Sequence, residues 1–117
     1  MILHNDAVDA ILTRRSIRSY QAKQISEDAL ETILTAGQYA PSGMNQQSAK
    51  AIVVQSKERM QQLVQLAKAA EQVDHNPFYD APTVILVFAD ATQLAPLEDG
   101  CNVLENMMLA AHAIGLG

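Results

Sequence analysis

Three arginines and two serines lie within residues 14–20, which read Arg-Arg-Ser-Ile-Arg-Ser-Tyr and which we call the arginine cluster. A guanidinium group presents two parallel donors to phosphate oxygens, and a neighbouring serine hydroxyl supplies a further hydrogen bond. The segment is therefore a candidate anion site, and a phosphate monoester fits its size and charge. The residues leave one alternative open, a solvated cationic helix end that interacts favourably with the helix dipole.

A second polar segment, residues 40–47, reads Ala-Pro-Ser-Gly-Met-Asn-Gln-Gln, and we call it the amide loop. Its proline and glycine interrupt a helix, and its side-chain amides can exchange hydrogen bonds with carbonyls and ring nitrogens. Phosphate binding at one segment and heterocycle binding at the other together indicate a nucleotide-like ligand. The alternative for this segment is an ordinary turn between a helix and a strand.

The order and spacing of these two segments resemble the flavin-dependent nitroreductase family. Its members open with Arg-Arg-Ser-Ile-Arg-x-Phe/Tyr and continue, one helix later, with Ala-Pro-Ser-x-x-Asn-x-Gln. A third segment, from Asp99 to Gly117, is similar to the family's long central helix and glycine exit, through Asn102, residues 105–112 and residues 115–117. The resemblance spans the chain and implies an α+β fold, in which helices flank a central antiparallel sheet.

The resemblance assigns the arginine cluster to the phosphate end of flavin mononucleotide (FMN). Arg14 and Ser16 are expected to bind the phosphate and the ribityl chain, with Arg15 close by. Arg18 is expected near the pyrimidine edge of the flavin ring. A fixed positive charge at that edge stabilises the negative charge that develops when the ring accepts a hydride.

The amide loop is expected, from the same resemblance, to approach the flavin from the partner subunit. Gly43 would allow close approach of its backbone. The family often continues with Pro-Trp, whereas this chain has Ser48-Ala49, so the packing beyond the loop departs from the family pattern. The cofactor-binding residues predicted in the loop are Pro41, Ser42, Gly43, Asn45 and Gln47.

The activity that the resemblance implies is that of an NAD(P)H-dependent flavin oxidoreductase. A reduced nicotinamide would give a hydride to the flavin and leave, and a nitroaromatic, a quinone or a similar acceptor would then take the electrons in a ping-pong scheme. No side chain is predicted to be catalytic, because the flavin carries the redox chemistry. We expect a homodimer with FMN at the subunit interface, and with Met107 and Met108 in that interface.

Two other classes of function fit parts of the sequence. A non-catalytic module that binds flavin or phosphate is the alternative to the enzyme. A small nucleic-acid-binding protein would use the same arginines, but the formal net charge of −5 and the few aromatic residues disfavour it.

The composition sets broad limits on the protein. Its 117 residues predict a single domain, and the acidic balance argues against nucleic acid or an anionic membrane as the main partner. Cys101 is the single cysteine, and no signal-peptide pattern precedes the first helix, so a cytoplasmic location is expected. No metal site is predicted, because His75 and His112 lack partners at a recognised ligand spacing.

Hydrophobic periodicity and capping residues predict four helices and two strands. Expected helix N-caps are Asn5 or Asp6, Ser26 and Ser56. The first predicted helix ends at Arg15, the second ends at Tyr39, the third begins at Ser56, and the fourth spans Pro96–Ile114. The predicted strands are Ala51–Val54 and Thr83–Ala89, and residues 72–80 are predicted to form a loop.

The second strand is apolar throughout, which is typical of a central strand with neighbours on both edges. Gly115 is expected in a left-handed helix cap, and the family continues past this glycine with further strands. We therefore expect residues 1–117 to be the N-terminal portion of a nitroreductase-like domain, whose sheet is incomplete within this chain.

Overall fold

The computed structural model describes residues 1–117 as four helices, two strands and one short 3-10 turn. The predicted N-caps Asn5, Ser26 and Ser56 are confirmed, because each side chain accepts a hydrogen bond from the backbone N–H three residues ahead. The elements are α1 (Asp6–Thr13), α2 (Glu27–Gln38), the turn (Gly43–Asn45), β1 (Ala49–Val54), α3 (Lys57–Glu71), β2 (Val84–Ala89) and α4 (Pro96–Ala113).

The first helix is shorter than predicted. It ends at Thr13 and not at Arg15, because Arg14 leaves helical geometry with φ −56° and ψ 139°. The arginine cluster therefore begins directly after α1, in extended backbone.

The two strands form an antiparallel sheet, in register from Ala49 opposite Ala89 to Val54 opposite Val84. β1 begins two residues before the predicted strand. One face of the sheet packs against α4 at Gly100, where an added Cβ would lie 3.8 Å from Cβ of Ala89. Because β2 pairs along one edge only, the sheet has fewer strands than the apolar character of β2 favours.

Helix α4 is central, since it contacts α1, α2 and both strands. On the side of α2, Met107 packs at Gly37, and Nδ2 of Asn106 donates to the carbonyl of Ala36 at 3.0 Å. Met107 is 5% exposed, whereas its neighbour Met108 is 44% exposed. Met107 therefore packs in the core of the chain, and of the two methionines Met108 is the one whose side chain is left exposed.

The end of α4 agrees with the prediction. Gly115 has a φ of 86°, and the N–H of Leu116 donates to the carbonyl of Ala111 at 2.8 Å, as in a left-handed glycine cap. Neither α4 nor any other helix has the combination of length and hydropathy that crossing a membrane requires.

The contact between α2 and α4 can be tested with two glycines. Gly37→Ala would place a Cβ 2.9 Å from Cγ of Met107, so neighbours must shift at a cost of about 1–3 kcal/mol. Gly100→Ala meets only ordinary contacts, and the helix propensity of alanine stabilises it by up to about 1 kcal/mol. We expect urea unfolding to show Gly37→Ala as the less stable variant. Equal free energies of unfolding would contradict tight packing at Met107.

Candidate functional site

The carboxylate of Asp99 holds the amide loop at the start of α4. Its Oδ1 accepts the N–H of Gly43 at 2.9 Å, and its Oδ2 accepts the hydroxyl of Ser48 at 3.1 Å. Asp99 is only 2% exposed, and a buried carboxylate is stable only when donors satisfy it. Its place in the first turn of α4 also puts it near the positive end of the helix dipole. One side chain therefore holds the middle of the loop, at Gly43, and the residue that follows it, Ser48.

The loop held in this way has an unusual backbone. Met44, Asn45 and Gln47 have φ angles of 51°, 54° and 52°, in the left-handed region that side chains other than glycine and asparagine rarely adopt. Within the loop, Oγ of Ser42 accepts the N–H of Gln47 at 3.1 Å. The side chains of Asn45 and Gln47 are exposed, so their amides face solvent and can meet a ligand.

A neighbouring segment supports the loop from the side of α4. Oε1 of Gln46 accepts the N–H of Leu94 at 2.9 Å. A Cβ added to Gly43 would lie 3.3 Å from Cβ of Ala95, which is a tight contact. The small size of Gly43 thus serves the packing of the loop against its own chain.

The turn that follows β2 is tied to the same loop. The N–H of Asp90 donates to the carbonyl of Ser48 at 3.1 Å. Hydrogen bonds from the hydroxyl and the N–H of Thr92, and from the side chain of Gln93, stabilise the charged form of Asp90 and lower its pKa. Since the folded form favours the carboxylate, this stabilisation is lost as the pH falls through the lowered pKa.

The arginine cluster carries positive charge that no carboxylate neutralises, because none of its three guanidinium groups forms an ion pair within the chain. Arg15 turns back on α1, and its Nη1 donates to the carbonyls of Leu12 at 3.1 Å and Arg14 at 2.8 Å. Arg14 is half-buried, and Ser16 and Arg18 are exposed. The positive charges of Arg14 and Arg18 can therefore attract an anion, whereas Arg15 helps to end the helix.

The two predicted halves of the site lie at opposite ends of α4. The hydroxyl of Thr13, just before the arginine cluster, lies 2.8 Å from Nε2 of His112 in the last turn of α4. Ile17 is close to Gly117, beyond that same end. Asp99, which holds the amide loop, precedes His112 by 13 residues, a helical length of about 20 Å. Within one chain, the structure does not bring the arginine cluster and the amide loop together.

In the loop after α3, the side chain of Asn76 makes its hydrogen bonds within the loop. Oδ1 of Asn76 accepts the N–H of Phe78, and its Nδ2 donates to Oδ1 of Asp80, both at 2.9 Å. The rings of His75 and Tyr79 are 6.2 Å apart between centroids. No three His, Cys, Asp or Glu side chains lie close enough together to hold a metal ion.

The sequence reasoning did not assign the hydrogen bonds that Asp99 and His112 make. For Asp99 a signal existed, because it shares a helix face with Val103 and Met107, which are four and eight residues ahead. A carboxylate on the buried face of an apolar helix indicates that donors lie opposite it. No local pattern indicates the partner of His112, because that partner is 99 residues away.

The chain belongs to the nitroreductase family, whose sequence model matches residues 11–117. It is 35% identical over 120 residues to the FMN reductase (NAD(P)H) of Bacillus subtilis, an alignment that covers 96% of this chain and 46% of that protein. The chain spans about half the length of the curated relatives that it matches.

Two solved structures show the same fold. A nitroreductase from Bacteroides fragilis with bound FMN superposes with a TM-score of 0.89 at 32% identity, covering 96% of this chain and 67% of that one. A nitroreductase with bound FMN from Desulfitobacterium hafniense gives a TM-score of 0.81 at 33% identity, with coverages of 97% and 68%. The α+β nitroreductase fold predicted from the sequence is thereby confirmed. That residues 1–117 are the N-terminal portion of a longer domain stays a prediction.

Substitutions at Asp99 test its hold on the amide loop. Asp99→Leu leaves the N–H of Gly43 and the hydroxyl of Ser48 without partners, at a cost of about 1–3 kcal/mol for the buried hydroxyl and less for the half-buried N–H. Asp99→Asn should cost less, because its carbonyl can still accept from Gly43 while the hydroxyl of Ser48 rotates to accept from the amide. Glu98→Gln, on the exposed neighbour, is the control; it should cost at most about 0.3–1 kcal/mol of helix-dipole interaction and leave the loop in place.

Chemical unfolding and amide hydrogen exchange measure these effects. The N–H of Gly43 should exchange faster in Asp99→Leu than in the other two variants, because it has lost its acceptor. An unchanged exchange rate for Gly43 would show that the carboxylate does not hold the loop.

Proposed function

We propose that this protein is an FMN-dependent oxidoreductase, which transfers a hydride from NAD(P)H to a nitroaromatic, a quinone or a similar small acceptor. The observation that carries the proposal is the unpaired positive charge of Arg14 and Arg18, in a chain of the nitroreductase family. The related proteins of Bacteroides fragilis and Desulfitobacterium hafniense contain FMN, and the Bacillus subtilis relative is an FMN reductase.

The residues of the arginine cluster fit the phosphate end of FMN. The chain has a formal net charge of −5, yet this segment holds guanidinium groups without carboxylate partners, so their positive charge is available to an anionic group. Arg14 and Ser16 would donate to the phosphate oxygens. Arg15 would also lie near the phosphate of FMN, although its Nη1 donates to the backbone carbonyls of Leu12 and Arg14.

The amide loop fits the ring and ribityl end. Asn45 and Gln47 offer both donors and acceptors, and the backbone that carries them is held by Asp99. Pro41, Ser42 and Gly43 complete the predicted set of loop residues. Because the loop is fixed before a ligand arrives, little conformational freedom is lost when the ligand binds.

A homodimer would unite the two halves of this site. They are about 20 Å apart along α4, but a two-fold axis across the middle of α4 places the first turn of one copy beside the last turn of the other. An exposed apolar stripe on α4 supports this arrangement, since its spacing of four, three and four residues puts it on one face. The stripe consists of Leu97, Cys101, Leu104 and Met108, of which the leucines are 74% and 40% exposed.

The redox step asks little of the side chains. When bound, FMN would accept the hydride and pass the electrons on in a ping-pong cycle. Arg18 would place a fixed positive charge beside the pyrimidine edge of the ring and stabilise negative charge there. We place the reaction in the cytoplasm, where the single free cysteine, Cys101, would stay reduced.

Titration with FMN under anaerobic conditions, followed by NADH or NADPH, tests the proposal. We expect a stoichiometric yellow complex whose flavin absorbance is bleached by one of the two nicotinamides and restored by a quinone. Binding without bleaching would favour the non-catalytic module, and no binding at all would refute an FMN site.

Two arginine substitutions should fail differently. Arg14→Ala removes a phosphate contact and should weaken FMN binding by about 1.5–3 kcal/mol, the usual contribution of a hydrogen bond to a charged group. Arg18→Ala should lower the reduction potential of the bound flavin with a smaller loss of affinity. Arg59→Ala, on α3, makes the same change of charge elsewhere and is the control. Unchanged FMN affinity in Arg14→Ala would remove the phosphate assignment.

The proposed dimer is tested at the exposed stripe. Met108→Glu would bury an unpaired charge between subunits, so sedimentation velocity should show monomers that have lost FMN. Leu66→Glu introduces the same charge on α3, at a side chain that is 70% exposed, and should leave the dimer intact. A stable, FMN-loaded monomer of the unaltered protein would rule out the shared site.

A further inference from the structure

His112 and Thr13 form the polar link between the ends of two helices. Thr13 is the last residue of α1, and His112 lies in the last turn of α4. Oγ1 of Thr13 is 2.8 Å from Nε2 of His112 and 2.6 Å from the carbonyl oxygen of Asp9. The next residue in the chain is Arg14, the first of the arginine cluster.

The single proton on the hydroxyl of Thr13 determines whether Nε2 of His112 donates or accepts in their hydrogen bond. A hydroxyl has one proton to donate and two lone pairs to accept with, whereas a carbonyl oxygen only accepts. The hydroxyl of Thr13 therefore donates to Asp9, and its remaining partner must be a donor. Nε2 of His112 thus carries a proton and donates to Thr13, so a neutral His112 is the tautomer protonated at Nε2.

Helix α1 needs such a link. It has eight residues, none of them buried, and isolated helices of this length are not stable in water. Ile11 and Leu12 are 60% and 47% exposed, so apolar packing fixes the end of the helix only in part. The donor on His112 attaches that end to α4, the helix around which the rest of the chain packs.

We propose that His112 is a positioning residue for phosphate recognition, which acts through Thr13 on Arg14 and Ser16. Adjacent Cα atoms are about 3.8 Å apart, so fixing Thr13 fixes where the backbone of Arg14 begins. The proposal rests on the proposed binding of FMN by the arginine cluster. It deepens that proposal, because it names a side chain that sets the preference for a phosphorylated flavin over the same flavin without phosphate.

The ratio of the dissociation constants for riboflavin and FMN measures this role directly. Riboflavin has the ring and the ribityl chain but no phosphate. His112→Leu and Thr13→Val should each raise the dissociation constant for FMN about three- to tenfold, the net effect of one lost hydrogen bond, and leave that for riboflavin unchanged. His112→Gln and Thr13→Ser keep a donor and an acceptor, and should restore most of the preference.

A double-mutant cycle identifies the interaction itself. His112→Leu and Thr13→Val both remove the hydrogen bond between the two side chains. The double variant should therefore bind FMN almost as tightly as the single variant with the lower affinity, and the two losses should not add. Flavin fluorescence gives both dissociation constants, and a urea unfolding curve for each variant checks that it is folded. If His112→Leu does not fold, the inference is tested with His112→Gln, with Thr13→Val and with the nitrogen chemical shifts of His112 in the unaltered protein.

The outcomes separate this inference from the proposed function. In the unaltered protein, nitrogen chemical shifts of His112 should show the tautomer protonated at Nε2, and a proton on Nδ1 alone would overturn the inference. Equal losses of FMN and riboflavin affinity, or no loss, would also overturn it while the FMN site stands. If the unaltered protein binds riboflavin as tightly as FMN, the phosphate site and the role of His112 both fall.

Discussion

The carboxylate of Asp99 is the constraint on which the amide loop depends. Its oxygens receive the N–H of Gly43 and the hydroxyl of Ser48 in a nearly water-free position. A charge that cannot be hydrated demands those donors, so it holds the backbone that carries them. The left-handed conformations of Met44 and Gln47, which their own side chains disfavour, persist because Gly43 and Ser48 on either side of them are fixed.

Helix α4 extends this local constraint across the chain. It carries Asp99 in its first turn and His112 in its last, so the amide loop and the arginine cluster are held apart by the length of one helix, about 20 Å. A rigid spacer of this kind keeps the two segments of one chain apart, and it suits a symmetric pair. In the proposed dimer, the two copies of α4 would lie antiparallel, with the first turn of each beside the last turn of the other. Both sites would then form together.

Much of the fold could be predicted because the forces behind it are local. Capping by Asn5, Ser26 and Ser56 joins groups three residues apart, and the left-handed glycine cap at Gly115 is just as local. The arginine cluster and the amide loop were recognisable because their residues are contiguous. The end of α1 was misplaced, since apolar periodicity does not show that the backbone of Arg14 turns away from the helix.

By itself the sequence determined the helices, the strands, the family resemblance and the candidate residues, all of which depend on neighbours along the chain. Only the tertiary structure decided which of two similar residues is buried and which hydrogen-bond partner a side chain has. Met107 and Met108 are adjacent and alike, but about 100° apart on a helix, so one packs at Gly37 and the other faces solvent. Asp99 and His112 gained their roles from partners 56 and 99 residues away, Gly43 and Thr13. Hydrogen-bond partners at such distances are properties of the folded chain, which no local pattern contains.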